Sequence, residues 1–271
     1  MTSDVDPARG EPAGFDTSVA HVARVYDYWL GGKDNFAADR AAGEQAIAAY
    51  PDIVFSVRAN RAFLARAVRF LAADCGIRQF LDIGTGIPTA NNTHEVAQSV
   101  APECRIVYVD NDPVVLAHAR ALLTGGPQGA TGYIDADLRE TQKILDNAAQ
   151  TLDFSQPVAV IMMAVLQHIR DEDDPYHLVA TLMGAVPPGS YLAISHPAKD
   201  IDAESMAQMA ERLNKMMAEK VTFRDQAGVA RFFDGLELVA PGMVRAPQWR
   251  PDSELTAASP AALWGGVALK R

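Results

Sequence analysis

Phe80-Leu81-Asp82-Ile83-Gly84-Thr85-Gly86-Ile87-Pro88-Thr89 reads as a buried strand that runs into a glycine turn and hands over to a helix. A second apolar segment, from Arg105, ends in an acid, Asp110, about 24 positions beyond Gly86. Strand, glycine turn, helix, strand and terminal acid together are the layout of a nucleotide-binding βαβ unit. An ordinary tight βα turn would share the glycines but not the acid.

The glycine spacing separates ligand classes. A dinucleotide fingerprint carries a third glycine where this chain has Thr89, with Pro88 just before it. Proline is well tolerated in a first helical turn, so the helix is expected to start near Pro88. Asp82, two positions before Gly84, would repel a pyrophosphate and suits a ligand with positive charge. A ribose, an ammonium, a sulfonium and no phosphate describe S-adenosylmethionine.

The chain has 271 residues, 49% of them hydrophobic, which supports one medium domain with an appendage. Lys and Arg number 24 against 34 Asp and Glu, a net charge of −10. That balance argues against nonspecific nucleic-acid or anionic-membrane binding, both of which need basic patches. Two cysteines, Cys75 and Cys104, lack metal-ligand spacing and read as small apolar fillers, so no metal site is expected. No leader pattern or long apolar run is present, and a soluble cytoplasmic protein is expected.

Residues 1–16 are rich in Asp, Pro, Gly and Ala and read as a disordered tail. Residues 17–75 read as a helical cap. Val19, Val22, Val25, Tyr26 and Trp29 recur at helical spacing and end at Gly31-Gly32. Further helices are expected from Phe36 to Ala49 and from Val54 to Ala73, the last with Phe55, Phe63, Leu64, Val68 and Leu71 on one side. From residue 76 to 271, strands and helices alternate, which predicts a doubly wound, mostly parallel α/β sheet. Strands are expected at Gln79–Ile83, Arg105–Asp110, Tyr133–Ala136, Pro157–Met163 and Tyr191–Ser195. Helices are expected at Ala90–Val100, Pro113–Leu123, Pro175–Ala185, Ala203–Ala218 and Asp225–Phe232, and a late hairpin of Leu236–Val239 with Leu263–Leu269.

Ligands of such sheets bind outside the carboxyl ends of the strands. Those ends supply Asp82, Gly84, Thr85 and Gly86, then Asp110 and Asn111, then Asp137 and Leu138, then Met163 and Ala164. At this point the chain resembles the class I S-adenosylmethionine-dependent methyltransferases, a Rossmann-like fold, over roughly residues 75 to 271. The resemblance implies a glycine loop beside the methionine moiety, Asp110 on the ribose and Asp137 near the adenine. The segment Ala23-Arg24-Val25-Tyr26-Asp27-Tyr28-Trp29-Leu30-Gly31-Gly32-Lys33-Asp34-Asn35-Phe36 is similar to the opening signature of a bacterial S-adenosyl methyltransferase family with no settled substrate.

Tyr26 or Asn35 is expected to reach the methionine end or the acceptor from a lid over the cofactor. The same aromatic residues would also serve as a structural staple. Arg58, Asn60 and Arg61 are cap residues able to meet an acceptor carboxylate. His168, after the fourth strand, is the candidate base, although enzymes of this class often carry the base histidine one position earlier, where this chain has Gln167. His196 follows the fifth strand. The run Asp171–Asp174 reads as a helix cap and solvated loop. Met206, Met209, Met216 and Met217 read as core or as an adaptable pocket lining.

The resulting expectation is methyl transfer from S-adenosylmethionine, leaving S-adenosylhomocysteine, to an unidentified small molecule, with no nucleic-acid or membrane partner and an open oligomeric state. An aminopropyl transferase and a non-catalytic S-adenosylmethionine sensor are the alternatives.

Overall fold

The computed structural model describes residues 16–122 and 128–271. Residues 1–15 of the tail expected at 1–16, and the helix end at Leu123, lie outside the described residues. Three helices come first: α1 (Val22–Leu30), α2 (Ala37–Ala49) and α3 (Ile53–Ala73). The alternating part follows with β1 (Gln79–Ile83), α4 (Thr93–Val100), β2 (Arg105–Asp110), α5 (Pro113–Leu122), β3 (Ala130–Asp135), α6 (Thr141–Ala148), β4 (Ala159–Met163), α7 (Pro175–Gly184) and β5 (Tyr191–Pro197). The chain closes with α8 (Ala203–Met216), α9 (Gln226–Ala230), β6 (Glu237–Leu238), β7 (Val244–Arg245), α10 (Glu254–Ala257) and β8 (Leu263–Leu269).

The sheet order is β3-β2-β1-β4-β5-β8-β6, with β7 also paired to β8. β1 to β5 run parallel, and β8 lies antiparallel beside β5, the expected late insertion. β1 and β4 are buried along their whole length because both faces carry helices. Alternation along β1 sends Leu81 and Ile83 to one face, where they join Val160 and Met162 and the α6 and α7 residues Ile144, Leu145 and Leu182. Phe80 goes to the other face, against Phe63, Val68 and Leu71 of α3 and Val96 of α4. Asp82 follows Phe80 in that alternation, so it points to the α4 side. α3 is therefore a layer of the main core. A third apolar cluster joins α1 and α2 to α8, through Val25, Ala46, Met206, Met209 and Leu213.

Several elements differ from expectation. α4 starts at Thr93, because Asn91 takes a left-handed φ of 61° and the Asn92 N–H donates to Glu95 at 2.7 Å as a cap; Pro88 stays in the loop. β3 covers Ala130–Asp135, one to three residues earlier than expected at each end. α6 was not foreseen, since only Ile144, Leu145 and Ala148 mark its buried side. Phe55 is 50% exposed and Met216 37% exposed, so neither belongs to its helix's packed face. No helix among the described residues is long and apolar enough to cross a membrane.

Candidate active site

A cavity of about 950 Å³, its open mouth included, lies at the carboxyl ends of β1, β2, β3 and β4. Its wall contains Asp82, Gly84, Thr85, Gly86, Asp110, Asn111, Asp137, Leu138, Met163, Ala164, Tyr26 and His168. All of these were expected from the strand-end argument or the signature. Asn35 is not in this wall. Its amide donates to Asp27 Oδ2 at 2.8 Å and to Gly32 O at 3.1 Å.

Asp27 accounts for much of the signature. The buried carboxylate also accepts from Asp34 N–H at 3.0 Å, and a Cβ on Gly32 would lie 1.9 Å from its Oδ1. Gly31 ends α1 at φ 83°, a left-handed cap that glycine adopts freely. The Gly31–Asn35 loop is thus wrapped around Asp27.

The glycine turn is built tightly. Gly84 has φ 73°, and a Cβ there would sit 2.3 Å from Val165 Cγ2. Gly86 has φ 66°, and a Cβ there would meet no protein atom within 4 Å. Gly86 N–H donates to Asp110 Oδ2 at 2.8 Å and Asp112 N–H to Asp110 Oδ1 at 3.0 Å. Each carboxylate oxygen keeps a further lone pair for a ligand hydroxyl. Burial raises the Asp110 pKa, against those two amide bonds.

Asp82 is buried and accepts from Thr93 Oγ1 at 2.6 Å. Burial pushes its carboxyl up to about 6, even with that bond acting downward. A cationic ligand group beside it would relieve this cost. Asp137 is half-buried at the rim, held by Arg139 Nη1 at 2.8 Å and by Asn111 Nδ2 at 3.3 Å. Arg139 also reaches Asp173 at 3.1 Å, so the acidic run is partly a clamp on this rim.

Of the three cap residues, the wall takes Asn60 and Arg61 and leaves Arg58 on the surface. Arg61 Nη2 donates to Ala90 O, Asn91 O and Asn92 Oδ1, each at 3.2 Å, while its buried Nε has no partner among the described residues. Asn60 is a link in a relay that sequence reasoning missed. Ala164 N–H donates to Ser195 Oγ at 3.0 Å, Ser195 O–H to Asn60 Oδ1 at 2.5 Å, and Asn60 Nδ2 to Tyr26 OH at 2.9 Å. Tyr26 O–H then donates to Val57 O at 3.2 Å. The relay pins α1 over the strand ends, and burial raises the Tyr26 pKa.

His168 sits where this cavity meets a second one. Gln167 Nε2 donates to Ala164 O at 2.6 Å, which requires the amide nitrogen to face that carbonyl. The same nitrogen lies 3.2 Å from His168 Nε2, which therefore accepts, and the imidazole proton resides on Nδ1. Burial, with the charges of His21 and Arg139, brings His168 down to about 3. His196 is engaged at both nitrogens, Nδ1 at 2.8 Å from Pro197 O and Nε2 at 3.2 Å from Arg224 Nη1. Buried Arg224 also donates to Leu166 O, Ile169 O and Asp171, stapling the loop that carries Gln167 and His168.

The second cavity, about 640 Å³ with its mouth, shares Val22, Tyr26, Asn60, Ala164 and His168 with the first. Met206, Met209 and Met217 line it, and Met216 does not.

A family model described as S-adenosyl methyltransferase matches residues 8–271. The structure of a DUF574-family protein from Streptomyces avermitilis is 44% identical, with a TM-score of 0.91 over 94% of this chain and 99% of that one. A candidate methyltransferase from Thermobifida fusca is 38% identical, with a TM-score of 0.89 over 97% and 100%. An O-methyltransferase family protein from Burkholderia thailandensis, 12% identical, shares the fold at a TM-score of 0.53 over 86% and 59%. No curated protein matches the sequence. With the match spanning nearly the whole chain, this protein belongs to the S-adenosyl methyltransferase family.

Proposed function

We propose that this methyltransferase holds S-adenosylmethionine in the cavity at the ends of β1 to β4 and methylates a small molecule held in the adjoining cavity. The residues present fit that cofactor. Asp82 is a buried carboxylate that a cation would stabilise, Gly86 leaves a side-chain-sized space open, and Arg61 Nε is a buried donor lacking a partner among the described residues. Asp110 would accept from the ribose hydroxyls, Asp137 and Asn111 would meet the adenine edge, and Asp82 and Arg61 would meet the amino-acid end. Leu138, Met163 and Ala164 supply apolar wall, and Thr85 closes the glycine turn through its bond to Asp82 O at 3.2 Å. When bound, the cofactor supplies an electrophilic methyl group on a sulfonium.

The chain's own contribution is alignment. His168, with its proton on Nδ1 and a pKa near 3, is a hydrogen-bond donor rather than a strong base. Tyr26 is tied into the relay and fixes the wall. Holding two reactants in line is worth about 7–11 kcal/mol at best, so transfer to an already nucleophilic acceptor needs no protein base.

The observation that carries this reading is the convergence of Asp82, Gly86 and Asp110 on one cavity that opens onto a second. Titration calorimetry with S-adenosylhomocysteine and with NAD tests it. Binding of the adenosyl compound in the micromolar range supports it; binding of NAD alone sinks it.

A further inference from the structure

We infer that the second cavity takes an uncharged, mainly apolar acceptor that presents a hydroxyl group to the wall shared with the first cavity. The inference rests on the first cavity being the cofactor site.

Charge is the first argument. Among the described residues, no Asp, Glu, Lys or Arg lines this cavity. Its far wall is Met206, Met209, Leu213 and Met217, all buried at 4% exposure or less. A carboxylate or ammonium placed there would lose its hydration with no opposite charge to replace it. That disfavours polyamines, amino acids and nucleotides as acceptors. An apolar body loses nothing on entry, and flexible methionine side chains adapt to its outline.

The second argument concerns the polar atoms. Most of those in the wall are already satisfied. Tyr50 OH and Ser56 Oγ lie 3.2 Å apart and both accept from Ala262 N–H. Trp29 Nε1 donates to Gly43 O, and Tyr26 and Asn60 belong to the relay. Two wall residues keep a buried polar atom without a partner among the described residues, Gln167 at Oε1 and His168 at Nδ1. Gln167 is only 6% exposed. Its Oε1 can only accept, and His168 Nδ1, carrying the ring proton, can only donate. A hydroxyl both donates and accepts, so it is able to answer either atom. A carboxylate could not donate to Gln167, and an ammonium could not accept from His168. His168 also lines the cofactor cavity, which sets this pair at the junction of the two cavities, where the hydroxyl serves to anchor the acceptor.

The test is calorimetry on the full chain saturated with S-adenosylhomocysteine, using 2-naphthol, 2-naphthoate and naphthalene as probes. The expected result is binding of 2-naphthol at least tenfold tighter than 2-naphthoate. Gln167→Ala should weaken 2-naphthol at least threefold and leave naphthalene unchanged. Met209→Trp, which fills the cavity, should weaken 2-naphthol at least tenfold and leave S-adenosylhomocysteine within twofold; Leu213→Trp replaces it if that variant does not fold. Equal or tighter binding of 2-naphthoate, or unchanged 2-naphthol binding in a folded cavity-filling variant, overturns the inference. S-adenosylhomocysteine binding with no 2-naphthol binding overturns it alone. Failure of the unmodified protein to bind S-adenosylhomocysteine removes the cofactor reading, and this assignment with it.

Discussion

Gly86 N–H donates to Asp110 Oδ2 at 2.8 Å, so the glycine turn after β1 and the acid ending β2 form one braced unit. The same carboxylate accepts from Asp112 N–H. Asp110 thus shapes the turn, and in the proposed cofactor site it would also offer lone pairs to a ribose. Asp110→Ala is expected to lower S-adenosylhomocysteine affinity by roughly 1.5–3 kcal/mol, the scale of hydrogen bonds to a charged group. Asp110→Asn, which can keep only part of the acceptor set, should fall in between. Calorimetry on the three proteins checks the order, and an alanine variant with full affinity would move the ribose elsewhere.

The two glycines should separate folding from binding. Gly84 faces Val165 at 2.3 Å from a would-be Cβ and is also left-handed, so Gly84→Val should lower the Tm and abolish binding together. Gly86 has only the backbone penalty, about 1–2 kcal/mol for a left-handed residue with a Cβ, and open space in front of it. Gly86→Val should fold with a modest loss of Tm and lose cofactor affinity. Thermal unfolding paired with calorimetry reads both. Equal Tm losses in the two variants would contradict the geometry.

Much of this site was legible because strand ends are. Asp82, Gly84, Gly86 and Asp110 follow from where apolar runs stop, and a parallel sheet brings those stops to one edge. Asn35 was misplaced because the signature around it serves Asp27, a burial that no periodicity reveals. Asn60 and Arg61 required the rotation of α3 against the sheet. Arg224 lies 58 residues from Leu166, whose carbonyl it binds, and nothing local marks that pairing. The boundary of α4 was missed because the Asn92–Glu95 cap outweighed the proline upstream.

Asp82 gives a pH dependence with a definite sign. Its carboxyl titrates at about 6 in the free protein because it is buried. A ligand ammonium favours the ionised form, so the bound-state value lies lower. Between the two values, binding must release a proton, and affinity for S-adenosylhomocysteine should fall as pH drops below about 6. Above that, Asp82 contributes no slope. Asp82→Asn should weaken binding at pH 7.5 and flatten the decline. The same slope in wild type and variant would assign it to another group.

The last prediction concerns the docking of α1. His21 Nδ1 lies 2.6 Å from Asp112 Oδ2, and Arg24 lies 3.6 Å from the same oxygen and 3.7 Å from Asp39. Burial acts downward on His21, but the bond and charge of Asp112 outweigh it and raise its pKa. Burial acts upward on Asp112, and His21 with Arg24 and the Val114 N–H holds it low. A raised histidine stabilises the folded state fully below its unfolded value near 6.5 and loses that contribution as pH rises through the folded value. A lowered aspartate contributes above 3.8 and loses its share as pH falls through its own depressed value. α1 should therefore be held most firmly from about 3.8 up to about 6.5. Hydrogen exchange of the α1 amides, corrected for intrinsic rates, should show protection declining as pH rises from 6 to 9. In His21→Leu that decline should vanish. Tyr26 and Val22 line both cavities, so cofactor affinity in the wild type should weaken over the same range while Asp82 is fully ionised. A flat protection profile, or an identical decline in His21→Leu, would show that α1 is held by the Tyr26–Asn60 relay and its apolar contacts alone.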